Sequence, residues 1–187
     1  MIHSVRFICV LDTNVIYPLW MRDLMLWFAH YDLYTPKWSK HIFDEWFDVM
    51  IRKGIPEIEA RKRTAIVDEA FPDALVENYE LLIPALTLPD ENDKHVLAAA
   101  IKINANLIVT NNLKHFPCDY LSSFGLSAKN ADDFLTDIID LNHETSIKAF
   151  RDLVINKKNP PFDEYQVLDI LRKNGLGGTA DYLHALI

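Results

Sequence analysis

The chain has 187 residues, half of them apolar, and its 27 acidic and 19 basic side chains give a formal net charge of −8. At the usual ~100–200 residues per domain this is enough material for one real core with an appendage. The acidic balance excludes a protein held on nucleic acid mainly by a broad cationic field, though not a nuclease whose cluster of acids is neutralised by metal ions.

The two cysteines, Cys9 and Cys118, show no metal-ligand spacing, and Cys9 lies inside the first apolar run, where a packed, reduced thiol is expected. This reads as a cytoplasmic chain. The apolar N-terminus is interrupted by Arg6 and Asp12 and is too short for a membrane span, so no membrane association is expected.

The run 5–14 is dense in β-branched and aromatic residues and stops abruptly at Asp12, Thr13 and Asn14, which predicts a buried strand carrying a carboxylate to its end. Open α/β sheets place their ligands there. Val15, Ile16, Leu19, Trp20, Leu24, Trp27 and Phe28 follow at helical spacing, with Pro18 in a first turn or at a kink. Residues 31–35 predict a brief β-like segment. Pro36-Lys37-Trp38-Ser39 then opens a second helix with Ile42, Phe43, Trp46, Phe47, Met50 and Ile51 as its buried stripe and His41, Asp44, Glu45 and Asp48 on its other face.

Lys53-Gly54 ends that helix, and Pro56 starts one of mixed charge over 57–69. A sheet element is predicted at 79–88. Pro89-Asp90-Glu91-Asn92-Asp93 then begins a helix, 96–103, apolar on nearly all sides and therefore buried. Residues 107–110 form a short strand ending in Asn111 and Asn112, followed by an edge strand near Leu126 and a helix over 131–139. Short apolar runs alternating with helices predict a three-layer α/β/α sandwich with a central parallel sheet. From about Asn142 the pattern turns to helices alone, broken at Asn159-Pro160-Pro161 and again at Gly175, Gly177 and Gly178 before a last short helix at 180–186. The expected division is an α/β body over 1–140 and an all-helical C-terminal extension over 141–187.

Three sequence-distant elements place acids where such a fold would gather them: Asp12 at a strand end, Glu45 on a helix face, and Asp90 with Asp93 at a helix start. Carboxylates at one sheet edge repel unless a hard divalent cation with oxygen ligands neutralises them. Each also has a plain structural reading. Asp12 is a good helix N-cap, Asp90 and Asp93 have capping-box spacing, and Glu45 lies on a solvated face. His41 precedes Glu45 by four residues, as a helical metal pair would, yet an exposed helical histidine explains it as well. His95 and His115 have no partner at ligand spacing.

Taken together, the string Val-Leu-Asp12-Thr13-Asn14-Val-Ile-Tyr-Pro, the helix from Ser39 to Glu45-Trp46, Leu88-Pro-Asp90-Glu-Asn-Asp93-Lys-His95 and Leu-Ile-Val-Thr110-Asn111-Asn112-Leu-Lys-His-Phe116-Pro117 resemble a PIN-domain ribonuclease, in that family's order and over residues 1 to about 140. The last two strings are particularly similar to its VapC-like toxin branch. That resemblance implies Mg²⁺ or Mn²⁺ dependence, an RNA substrate, a cognate antitoxin that blocks the site, and often a homodimer. It makes Asp12, Glu45 and Asp93 the metal-binding acids, Asp90 an additional acid, and Asn14 and Thr110 supporting polar groups. The departure is Asn112, where many members carry a fourth aspartate. An amide can ligate through its carbonyl oxygen, but the lost charge should weaken a second metal site.

The implied chemistry is hydrolysis of an RNA phosphodiester by a metal-activated water, leaving a 5′-phosphate and a 3′-hydroxyl. RNA would be gripped by Arg52, Lys53, Arg61, Lys62 and Arg63, a group equally readable as a solvated helix face. Two rivals remain. A haloacid-dehalogenase-type phosphatase resembles Asp-x-Asp, whereas here the second position is Asn14. The other rival is a catalytically weak binding module whose acidic pocket mainly receives an antitoxin arginine or an RNA partner.

Overall fold

In the computed structural model, which describes residues 7–187, the opening run forms strand β1 (Ile8–Leu11), with Cys9, Val10 and Leu11 buried. Val5 and Arg6, at the head of the predicted strand, lie outside the described residues. β1 is the middle of a five-stranded parallel sheet that also contains β2 (Thr35–Ser39), β3 (Leu75–Val76), β4 (Leu107–Val109) and β5 (Ser127–Lys129), in the order β3-β2-β1-β4-β5. Strands β2 and β3 are added on one side of β1 and β4 and β5 on the other. The direction of winding therefore reverses between β1 and β4, and ligands bind outside the carboxyl ends of strands at such a switch point.

The chain leaves β1 through a single turn, α1 (Thr13–Ile16), breaks at Tyr17 and Pro18, and continues as α2 (Leu19–His30). Pro18 thus sits outside the second helix as its N-cap, where its missing N–H costs nothing. Sequence periodicity had suggested one helix across this break. The segment 36–39, expected to open a helix, is instead most of β2, and α3 (Lys40–Arg52) starts only after Ser39 caps it by accepting from the Ile42 N–H at 3.3 Å. A proline inside a paired strand is tolerated here for a reason of register. Thr35 N donates to β1's side at Phe7 O, so alternation aims the Pro36 nitrogen toward β3, and β3 begins to pair only at Trp38.

The mixed-charge helix α4 (Glu57–Ala70) follows Pro56 as expected. The strand predicted at 79–88 is absent. That segment is a short 3-10 helix (Glu80–Ala85) containing Pro84, with Leu81 93% exposed, and the strand of this crossover is the two-residue β3 just before it. The segment packs through Tyr79, Leu86 and Leu88, with Leu82 and Ile83 partly covered, rather than pairing in the sheet. Helix α5 (Lys94–Lys102) buries every residue from His95 to Ala100 because it lies across β1, β2 and β4.

After β4 come the short α6 (Cys118–Ser122), edge strand β5 and α7 (Ala131–Leu141). Tyr34, 1% exposed, joins α2 to α7: its hydroxyl donates to Met25 O at 3.0 Å and its ring meets Phe134 edge-on at 4.9 Å. Helices on both faces complete the three-layer α/β/α sandwich.

The remaining helices are α8 (His143–Asn156), α9 (Glu164–Lys173) and α10 (Gly177–Leu186). Gly177 and Gly178 are the first residues of α10 rather than interruptions before it. The Gly178 N–H and the Thr179 N–H and hydroxyl all donate to the Asp132 carboxylate of α7, at 2.8, 2.7 and 2.6 Å. A Cβ at Gly178 would stand 3.1 Å from that carboxylate, so the close approach itself favours glycine. Lys157 pairs with Asp23, Tyr31 with Asp152, and Trp20 meets Phe162 edge-on at 5.4 Å, which docks this region on α2. Among the described residues no helix is long and apolar enough to cross a membrane.

Candidate functional site

The pairing of β1 with β4 sets Leu11 opposite Val109, so the next residues out of the sheet, Asp12 and Thr110, face one another. Asp12 is 4% exposed and fully engaged: Oδ1 accepts from the Thr13 N–H at 2.6 Å, and Oδ2 accepts from the Thr110 hydroxyl at 2.7 Å and from the Asn14 amide. Asn14 also donates to Thr110 Oγ1 at 3.0 Å and accepts from the Asn111 N–H at 2.8 Å. Sequence reading placed Asn14 and Thr110 as supports of the acid, and both touch it.

Glu45 arrives from α3. Its Oε2 accepts from the Thr13 hydroxyl and its Oε1 lies 3.1 Å from His95 Nε2. Asp93, at the start of α5, has its Oδ2 2.6 Å from His115 Nδ1, and Asp90 Oδ2 is 3.7 Å from the same nitrogen. The other Asp90 oxygen caps the turn by accepting from the Asn92 N–H at 3.0 Å, so the capping function read from sequence is real and uses one oxygen only.

The electrostatics divide these acids. Burial, with the charges of Asp93 and Glu45 added, pushes Asp12 up to about 6 despite the bonds from Thr110 and Thr13. Burial likewise raises Asp93; it outweighs the hydrogen bond and charge of His115, and the repulsion of Asp90 and Glu45 adds a smaller push. Burial would raise Glu45 too, but hydrogen bonds from His95 and Thr13 and the nearby imidazoles hold it below the ordinary carboxylate range. Asp12 therefore has no cationic partner to offset its burial, and the one that Asp93 has, His115, does not offset it fully. The three acids feel one another's charge across a shared crevice, and their oxygens are donors of the kind that Mg²⁺ or Mn²⁺ takes, although their ligand atoms do not lie within 4.8 Å of one another as those of the two groups given below do.

Other expected residues scatter. Asn112 is used through its backbone, whose N–H donates to Thr110 Oγ1 at 3.1 Å. Arg52 shares a depression of about 470 Å³ with Thr13, Glu45, Asp48, Val49 and Ile51, beside the acids. Arg61 is spent on Glu57 at 2.7 Å and on the Phe47 ring, and Arg63 on Glu59 at 2.9 Å. Lys53 and Lys62 are exposed. An apolar groove of about 610 Å³ between α2 and α4, lined by Leu26, Trp27, Ile66 and Phe71 among others, contains none of the acids.

Three contributors were missed in the sequence. Thr13 was read as part of a strand end, yet it tethers Glu45. His95 and His115 were set aside for want of a partner at ligand spacing, because their partners stand 50 and 22 residues away. Among the described residues the groups of three or more possible metal ligands whose atoms lie within 4.8 Å of one another are His41, Glu45 and His95, and Asp90, Asp93 and His115.

A doubly wound parallel sheet with acids gathered at its switch point defines a class of small α/β domain with an acidic site. The sequence profile of the PIN domain matches residues 9–114, more than half the chain and the whole path from β1 past β4, and the chain belongs to that family. A second profile, the VapC50 C-terminal domain, matches residues 131–185, from α7 through most of α10. A Mycobacterium tuberculosis protein named "Putative ribonuclease VapC50" is 44% identical over 79 residues, a stretch covering 42% of this chain and 47% of that protein. The match thus spans about half the length of that relative. No solved structure gives a significant match.

Proposed function

We propose that this chain is a Mg²⁺- or Mn²⁺-dependent endoribonuclease of the VapC-like toxin kind, acting in the cytoplasm and held in check by an antitoxin. The observation that carries the reading is the gathering of Asp12, Glu45 and Asp93 near the β1–β4 switch point, with Asp12 and Asp93 raised first by burial and then by the neighbouring acids. The profile matches and the name of the mycobacterial relative support it.

Asp12, Asp93 and Glu45 would hold the cation, which would polarise the scissile phosphate and lower the pKa of an attacking water. The chain's own residues prepare that centre. Thr110, Asn14 and the Thr13 N–H fix both oxygens of Asp12, and the Thr13 hydroxyl fixes Glu45, so neither acid has to be ordered when substrate arrives. Asp90, with one oxygen unspent on its cap, stands beside Asp93 to orient the water. Attack in line breaks the bond to the 3′-oxygen and leaves a 5′-phosphate and a 3′-hydroxyl. Arg52 is the basic residue at the depression where an RNA phosphate would sit. Residues 1–140 would carry the chemistry and 141–187 would brace α2 and α7, with an antitoxin and a second copy of the chain as the protein partners.

The test is cleavage of a mixed structured-RNA pool by purified, antitoxin-free protein with Mn²⁺, Mg²⁺ or EDTA, beside Asp12→Asn and Asp93→Asn. Metal-dependent cleavage with 5′-phosphate ends, absent in both variants, is the expected result. Products ending in 2′,3′-cyclic phosphate, or cleavage that survives both substitutions, would overturn the reading.

A further inference from the structure

His41 and Glu45 leave the same face of α3, four residues apart, and His95 rises from the first turn of α5 to meet them. The ligand atoms of the three lie within 4.8 Å of one another. The His41 and His95 rings are stacked, with centroids 3.8 Å apart and planes 18° from parallel. Because Thr13 engages Oε2 of Glu45, Oε1 is the atom turned to the histidines, 3.1 Å from His95 Nε2. Two ligands about 2.0–2.1 Å from one ion and that far apart subtend about 98° at it, between the octahedral and tetrahedral angles. Glu45 and His95 need move little, whereas His41, which is exposed, has to turn out of the stack, because a ligating imidazole holds its ion in the plane of its own ring.

His95 is 2% exposed, and its Nδ1 has no hydrogen-bond partner among the described residues. An idle buried nitrogen calls for an explanation, and it leaves Nε2, the nitrogen turned to Glu45, as the atom of His95 that would meet an ion. His41 has no hydrogen bond among the described residues and meets His95 only through the face of its ring.

We propose that His41, Glu45 and His95 form a nitrogen-rich metal site, with one open position, that takes a borderline-soft transition metal, Zn²⁺ above all. The donor set decides the class of ion. Two imidazoles and one carboxylate select Zn²⁺ or Co²⁺ over Mg²⁺, whereas the all-oxygen set around Asp12 and Asp93 selects the hard cations. Both sets include Glu45. A Zn²⁺ ion here therefore withdraws a carboxylate from the neighbouring centre and acts as an inhibitor of it. Metal binding stands on the three residues alone; the inhibition rests on the ribonuclease reading.

The experiment titrates the full chain with Co²⁺, read by its visible absorption, followed by displacement with Zn²⁺, in wild type, His41→Ala, Glu45→Gln and His115→Ala. Melting curves monitored by circular dichroism establish that each variant is folded, and His41 is exposed enough to be replaced without opening the core. Wild type and His115→Ala should take up one equivalent with a d–d band that Zn²⁺ bleaches. Removing an outer-shell partner typically costs 10–100-fold in affinity, so losing His41 itself should weaken binding by at least about tenfold, and Glu45→Gln should weaken it too. Equal affinity in His41→Ala, a loss confined to His115→Ala, or no uptake by wild type would overturn the site. Cleavage of RNA with Mg²⁺ but no Co²⁺ band overturns this site and leaves the ribonuclease reading intact; a Co²⁺ band without cleavage does the reverse.

Discussion

Asp12 is the residue whose environment makes the sharpest demand on the metal-free chain. Its carboxyl is raised from 3.8 to about 6, first by burial and then by Asp93 and Glu45. At 1.36 kcal/mol per unit, that shift amounts to about 3 kcal/mol. A raised acid binds its proton more tightly in the folded state than in the unfolded one. Its contribution is therefore fully present below the unfolded pKa and is lost as pH climbs through about 6. Wild type alone would blur this, since Asp93 shifts the same way while Glu45 and His41 are lowered and oppose it.

The difference between Asp12→Asn and wild type isolates the term. Asparagine cannot accept all the bonds from Thr13, Thr110 and Asn14, and that loss is a constant offset independent of pH. On top of it, the stability of Asp12→Asn relative to wild type should rise by about 3 kcal/mol between roughly pH 4 and pH 7. Urea melts in EDTA across that range, followed by tryptophan fluorescence, measure it. A difference that stays flat, or that shrinks with pH, would refute the picture of an uncompensated charge buried against two others.

Thr110→Val keeps the shape of a fully buried side chain but removes the hydroxyl that donates to Asp12 and accepts from Asn112 and Asn14. Urea melts should show a loss of about 1–3 kcal/mol, and a variant as stable as wild type would mean that the hydroxyl holds nothing. Asp132→Ala removes the acceptor at the start of α10. It should cost about 1–2 kcal/mol, as loss of a helix cap does, with amide exchange accelerating first in α10; unchanged protection there would count against Asp132 as the anchor.

How far the site could be read without coordinates depends on how each residue announces itself. Asp12 and Asp93 are legible because a buried strand or a helix start has a one-dimensional signature, and the acid falls where the pattern breaks. The sheet was legible wherever a strand is a pure apolar run, as at β1 and β4. It was not legible at β2, where Pro36-Lys37-Trp38-Ser39 looks like the opening of a helix until the one-sided pairing with β3 is known. Nor was it legible over 79–88, where an apolar stretch with a proline forms a 3-10 helix. Thr13, His95 and His115 failed differently: each acts on an acid from another element, and no spacing within the chain encodes such a meeting. Of the basic residues, only Arg52 lines the depression beside the acids, and Arg61 and Arg63 are paired along their own helix.

The same geometry orders the acids by what a cation could gain from them. Glu45 already has the Thr13 hydroxyl and two imidazoles around it and sits below the usual carboxylate range. Asp12 and Asp93 are raised, the first by near-complete burial and the second by burial and its acidic neighbours. A divalent ion entering the crevice would relieve most repulsion on the Asp12–Asp93 side and least at Glu45. This is also the side on which Asn112 brings no charge, so one hard cation satisfies the uncompensated acids and a second would find little left to neutralise. On the ribonuclease reading proposed above, that asymmetry would favour a single Mg²⁺ or Mn²⁺ ion held by Asp12 and Asp93, with Glu45 in a secondary part. It also sets the extent of the proposed Zn²⁺ inhibition: drawing Glu45 away would cost the first centre its third carboxylate while Asp12 and Asp93 stay in place.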